Sequence, residues 1–211
     1  MDYTTLAGTK DTAGSIKYWV RHDSVPVAYI LESAQNAIYA QLRCREMLKR
    51  AEGTIAEDAT TITLPTDMLE PVWLGLRGQY KSRIRLHDHE HFESRVGEDE
   101  NNELYPGTPT EATYDGTLLY LNAKADQEYP YRLWYMHKPA VLGSGNTTNF
   151  LTTRYPHMLE AYLKHYAWED RDEHSKSQSF LKLAVGYLNE AKAEYDMWKQ
   201  QVDHEFYWSE R

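Results

Sequence analysis

The sequence predicts an α+β domain: a helical bundle, built from one long N-terminal helix and a C-terminal helix pair, with a small antiparallel β-sheet inserted between them. Three observations predict it. Apolar residues recur at helical spacing from Val27 to about Ala51 and again from Pro156 to Val202. The period falls to two between Thr54 and Pro139, and no internal repeat divides the 211 residues into similar halves. The expected organisation is one domain over 1–211, a β-rich insertion over 54–139, and a C-terminal docking tail over 203–211.

Each element has a local reason. Ile16, Trp19 and Val20 mark a short helix, after which Asp23 and Ser24 offer caps and Pro26 suits a first turn. In the next helix Val27, Ile30, Leu31, Ala34, Ile38, Leu42 and Met47 or Leu48 share one face, and Gly53 stops it. Downstream, Ile62 and Leu64 alternate with threonines, Leu74 and Leu76 with Trp73 and Gly75, and Ile84 and Leu86 with arginines, so these are short strands. Asp115-Gly116 in ATYDGTLLYL signals a hairpin closed by a type I′ turn, which needs two positive φ values. The stretch GEDENN from Gly97 to Asn102 is an acidic loop with nothing to bury.

The last eighty residues read as a docking unit. An aromatic strand, YRLWYMHKP, carries Tyr131, Trp134 and Tyr135, and a glycine-flanked loop from Gly143 to Asn149 follows as a candidate hinge. Met158, Leu159, Tyr162, Leu163 and Tyr166 then define one helix face, with Pro156 near its start. In a second helix Phe180, Ala184, Tyr187, Ala191, Tyr195, Trp198 and Val202 step by three or four. Roughly 28 residues make a helix about 42 Å long, more than a small domain covers, so part of this ring-bearing surface is free for a partner.

Composition narrows the function. With 41% hydrophobic and 26% charged residues the chain is an ordinary globular protein rather than a disordered one. Seventeen tyrosines and six tryptophans against four phenylalanines favour rings that keep a polar end, as interfaces do. A net charge of −9 excludes tight wrapping of nucleic acid, although an acidic wall suits a passage through which DNA slides without being gripped. The lone Cys44 excludes a disulfide framework and a cysteine zinc site. Neither a leader-like N-terminus nor a membrane-length apolar run is present, which points to synthesis in the cytoplasm and no membrane partner.

Catalytic signals are weak. His87, His89 and His91 would present three imidazoles to a metal if the segment were a strand, with Glu93 as a further ligand, and this is the basis for an alternative reading as a metal-dependent hydrolase. A solvated turn is the simpler account. Leu142 to Asn146 lacks the spacing of a phosphate loop, no nucleophile elbow is present, and the carboxylates form no acid/base pair. No enzyme, cofactor or metal is expected. A second alternative is a monomeric soluble binding module.

Four stretches recur together in a known order: the helix ILESAQNAIYAQLRCREML, the phrase LPTDMLE at Leu64 to Glu70, the hairpin DGTLLYLNA, and the run from Tyr129 through YMHKPAVL at Tyr135 to Leu142 into the helix pair. In this layout, over most of the chain, the sequence resembles the adaptor, or head-to-tail connector, proteins of tailed bacteriophages. The resemblance implies a structural protein of the virion neck that joins the portal protein as a ring, commonly of twelve copies, and receives a tail or head-completion protein. DNA would pass through without sequence-specific binding. The residues expected at the portal are Trp198, Val202, Phe206, Tyr207 and Trp208. Those expected between neighbouring copies are Tyr187, Tyr195, Tyr131, Trp134 and Tyr135.

Overall fold

A computed structural model of the chain describes residues 1–78, 82–94, 96–97 and 103–209, the last nine of these by backbone alone. In chain order the elements are α1 (Tyr3–Leu6), α2 (Ile16–Val20), α3 (Val27–Gln41), a 3-10 turn (Arg45–Met47), β1 (Leu48–Ile55), β2 (Thr61–Thr63), β3 (Met68–Leu76), β4 (Arg83–Leu86), α4 (His89–Glu93), β5 (Pro106–Gly107), β6 (Glu111–Tyr114), β7 (Leu118–Leu121), β8 (Lys124–Ala125), β9 (Tyr129–His137), α5 (Phe150–Thr153), α6 (Pro156–Glu169) and α7 (His174–Ser209). They form two compact units, one of residues 1–46 and 139–211, the other of residues 47–138.

The second unit overturns the expectation of a helical bundle carrying a small antiparallel insertion. Helix accounts for only about 40% of the chain, and seven strands in the order β1-β9-β3-β4-β6-β7-β2 form one mixed sheet that curls nearly into a barrel. Every pairing in it is antiparallel except β4 with β6, which the short α4 connects. Interior side chains from all around the curl, among them Ile55, Ile62, Leu74, Ile84, Leu119 and Leu133, meet in one cluster, which is what a sheet closing on itself produces.

The helix expected from Val27 to about Ala51 stops at Gln41, and Leu48–Ile55 is a strand. Leu48, five helical turns after Ile30, does continue the helical stripe. The local signal loses because β1 pairs with β9 without a break from Leu48↔Met136 to Ile55↔Tyr129, a ladder that no 3.6-residue pattern announces. Strand β9 also pairs with β3 along its other edge, so the aromatic strand is central. Two register shifts in β3 flank Pro71, which has no N–H to give the ladder. Further along β3 the Trp73 indole lies across Gly75, where a Cβ would collide with it.

The β6–β7 hairpin forms, but not through the expected turn. Only Gly116 takes a positive φ, +98°, and Asp115 does not. Instead the Asp115 carboxylate accepts from the N–H groups of Thr117 and Leu118 and from the Tyr120 hydroxyl, at 2.9, 2.9 and 2.8 Å. These bonds brace a turn that the Asp115 N–H closes through the backbone by donating to the Leu118 carbonyl at 3.1 Å. The N–H of Leu118 first, then that of Thr117, hold this carboxyl far below the usual carboxylate range.

In the first unit, α3 packs on α6 and α6 on α7, with Ile30, Leu31, Ile38, Leu159 and Leu163 fully shielded from solvent. A buried amide organises the connection. Gln35 donates to the Leu31 carbonyl at 3.0 Å, and its Oε1 accepts from the Leu142 N–H at 2.9 Å and from Asn149 Nδ2 at 3.2 Å. Asn149 also donates to the Tyr39 hydroxyl at 3.0 Å, while its Oδ1 caps α5 in a capping box with Thr152. The loop from Gly143 to Asn149, expected as a hinge, is therefore tied to α3 at both ends, and Gly143 and Asn146 bridge each other within it.

Two outcomes follow. Gln35→Leu leaves the Leu142 N–H buried without an acceptor and is expected to lower unfolding free energy by about 2–3 kcal/mol in urea titration; a loss under about 0.5 kcal/mol would show that the amide is dispensable. Asp115 titrates lower in the folded chain than in the unfolded one, so its contribution is complete above pH about 4 and fades as pH falls below that. Asp115→Asn should lower the thermal midpoint at pH 7, and the gap from wild type should begin to narrow as pH falls below about 4; a gap independent of pH contradicts the assignment.

Candidate functional site

Helices α6 and α7 form an antiparallel hairpin. The contacts His165–Ser177, His157–Tyr187 and Arg154–Glu194 step in opposite directions along the two helices, and the connection turns at Asp172, whose φ is +57°. Ser177, Ala184, Leu188 and Ala191 are the buried positions of α7 among the described residues, and three of the four are small, which lets the two helices approach. His165 reaches Ser177 Oγ with Nδ1 at 2.7 Å and faces Glu169 with Nε2 at 3.4 Å. The trio has the make-up of a hydrolytic triad, yet Ser177 is 1% exposed, leaving no approach for a substrate. It clasps the hairpin.

Helix α7 is 36 residues long and α6 is 14. Arg154, just before α6, bridges the carboxylates of Glu46 and Glu194, so the pairing of the hairpin ends there. From Tyr195 onward about 15 residues of α7, or about 22 Å, run past the start of α6. Tyr195 and Trp198 stand at the root of this overhang with ring centroids 5.6 Å apart, and the Arg45 guanidinium lies 6.0 Å over the Trp198 ring. Tyr187 is half-buried beside His157, while Met197, 60% exposed, and Leu183, 47% exposed, lie on the solvent side. Through residues 203–209 the backbone continues α7 unbroken. The side chains of Val202, Phe206, Tyr207 and Trp208 lie outside the described residues, as do most residues of the acidic loop 97–102.

Of the strand residues, Tyr135 is corrected by its burial. Its ring is 2% exposed in the core of the sheet and its hydroxyl donates to Asp67 Oδ1 at 3.0 Å, leaving no face for a neighbour. Strand parity explains this: Tyr131, Leu133 and Tyr135 point to the interior, with Tyr131 partly buried against the core. Trp134 takes the other face, opposite Trp73 on β3 and beneath the Arg50 guanidinium at 6.0 Å. Trp73, Arg50, Arg154, Glu46 and Glu194 escaped sequence reasoning because their partners are distant in the chain and only strand register and helix pairing bring them together.

The histidine cluster does not assemble as a metal site. Asp88 caps α4 by accepting from the His91 N–H at 2.9 Å, so the alternation of a strand ends at His87. The His87 and His91 rings lie 4.8 Å apart, tilted by 50°, His87 faces Glu111 at 3.7 Å, and His89 pairs with Glu93 at 3.8 Å. Among the described residues no group of three or more His, Cys, Asp or Glu is placed to hold a metal ion.

Arg154→Met should release the root of the overhang while costing global stability under about 1 kcal/mol, since the pair is solvent-screened. Amide exchange is expected to speed up at 192–200 and to stay unchanged at 180–190; unchanged exchange throughout would mean the bridge does not hold the helix.

No helix among the described residues is long and apolar enough to cross a membrane. No curated protein matches the chain. The family model described as SU10 adaptor protein matches residues 4–205, which takes in the curled sheet, the helix pair and most of the overhang. An exposed helical arm on a clasped hairpin suits a protein working by contact, and the chain belongs to the SU10 adaptor protein family, phage head–tail adaptors with a structural role in the virion and contacts to other head and tail proteins.

Proposed function

We propose that the protein assembles as a ring on the portal at the virion neck, joins the capsid to the tail, and forms part of the wall of the DNA passage. The observation that carries this reading is the overhang of α7 beyond α6. A helix that outruns its partner by about four turns has faces its own hairpin cannot cover, and a groove on another protein is the common way to cover such a helix. Trp198, Val202 and Phe206 recur at four-residue spacing along it, with Tyr207 and Trp208 adjacent, so they form the portal contact. Ring neighbours meet through Tyr187 and Tyr195 on α7, through Trp134 on the outer sheet face, and through the part-exposed ring of Tyr131 on the opposite face. The net charge of −9 supports a passage that repels phosphates rather than gripping them.

Removing residues 203–211 tests this. The truncated chain should keep its thermal midpoint within about 3 °C, because these residues lie past the hairpin, and lose affinity for purified portal rings by about 100-fold or more, the scale of an aromatic hot-spot cluster. Retained attachment overturns the reading. The full chain mixed with portal rings should give a cyclic complex by native mass spectrometry and electron microscopy, and a complex without rotational symmetry contradicts the ring.

A further inference from the structure

The opposite end of the α6–α7 hairpin, where α2 joins it, holds a cavity of about 550 Å³ within the first unit. Its walls are aromatic and cationic. Trp19, Trp168 and Phe180 are half-buried in it, and Arg21, Lys164 and Lys176 line the same space, with serine hydroxyls and no carboxylate among the lining residues. The ammonium of Lys164 sits 5.0 Å over the Trp19 ring and 5.5 Å over Phe180, and that of Lys176 sits 4.2 Å over Trp168. Rings fix these cations in place, and the charge of each lysine is balanced by a glutamate. Glu160 and Glu173 pair with the two lysines at 2.6 and 3.5 Å from outside the lining, whereas Arg21, held at the end of α2 with φ +51°, has no carboxylate partner among the described residues.

We propose that this cavity is a second docking site, which takes an acidic peptide segment bearing an aromatic ring from a head or tail protein other than the portal. The proposal rests on the reading of the overhang as the portal contact, since the two sites then lie at opposite ends of one stiff helix, about 50 Å apart along α7. One guanidinium without a carboxylate partner, two ring-held ammonium groups and three ring faces in a volume of this size match a carboxylate flanking an aromatic side chain. The acidic remainder of the chain disfavours nucleic acid and directs acidic segments of a partner to this point.

The test is a selection of nine-residue peptides from a random library against the full chain, with Trp fluorescence as the binding readout. Enrichment of sequences rich in Asp and Glu around one aromatic residue is expected. The selected peptide should bind about tenfold or more weakly to Arg21→Glu/Lys176→Glu, whose exposed positions leave the circular dichroism spectrum unchanged, and more weakly as salt rises. Portal attachment of that variant should persist, which separates failure here from failure of the portal reading. Three results overturn the proposal: selection of no peptide, selection of neutral or basic peptides, or equal binding to the charge-reversed variant. Tighter binding of oligothymidylate, or of a peptide with the sequence of residues 202–211, also overturns it in favour of nucleic acid or a second copy of the chain.

Discussion

The buried Gln35 amide is the constraint from which the helical unit follows. One side chain closes the backbone of α3 and holds the incoming Leu142 and Asn149, and Asn149 in turn caps the helix that delivers the chain to α6. Once α6 starts there, the His165–Ser177 clasp and the Arg154 bridge settle how far α7 is paired and where it begins to project. A polar group at the centre of an apolar helix interface is costly unless every bond is made. Here the bonds are what make the projection a defined structural feature rather than a frayed end.

The sheet unit solves a different problem. Its strands are mostly short, from two residues in β5 to nine in β3 and β9, and no flat sheet of such strands would bury enough apolar surface. Curling brings one side chain in two from nearly every strand into a common interior. Strand β9 makes this possible because it is paired along both edges over most of its length, and Gly75 lets Trp73 lie flat on the outer face. The cost of curling shows in the register shifts about Pro71.

Function in such a molecule is a matter of what is left over after internal packing. Parity consumed Tyr135 in the core, and helical periodicity consumed Ala184, Leu188 and Ala191. Within the helical unit the remainder lies at two ends of one hairpin: rings on the projecting arm, and rings interleaved with cations around the cavity beside α2. A long helix transmits position between such ends without needing to move, which suits a part that must hold two assemblies in line.

By itself the sequence determined the helical stripes of α3, α6 and α7, the alternation of β2, β3 and β4, the site of the β6–β7 hairpin, and the family, because each rests on short-range spacing or on ordered phrases. Tertiary structure decided the rest. Only pairing with β9 made Leu48–Ile55 a strand against its helical pattern, only closure of the sheet made an expected small insertion a compact unit of its own, and only the Asp88 cap turned a histidine alternation into a short helix. The Arg154 bridge and the cation-lined cavity join residues 40 to 150 positions apart. No local period encodes such distances, because the energy that selects them is released only when the elements have already met.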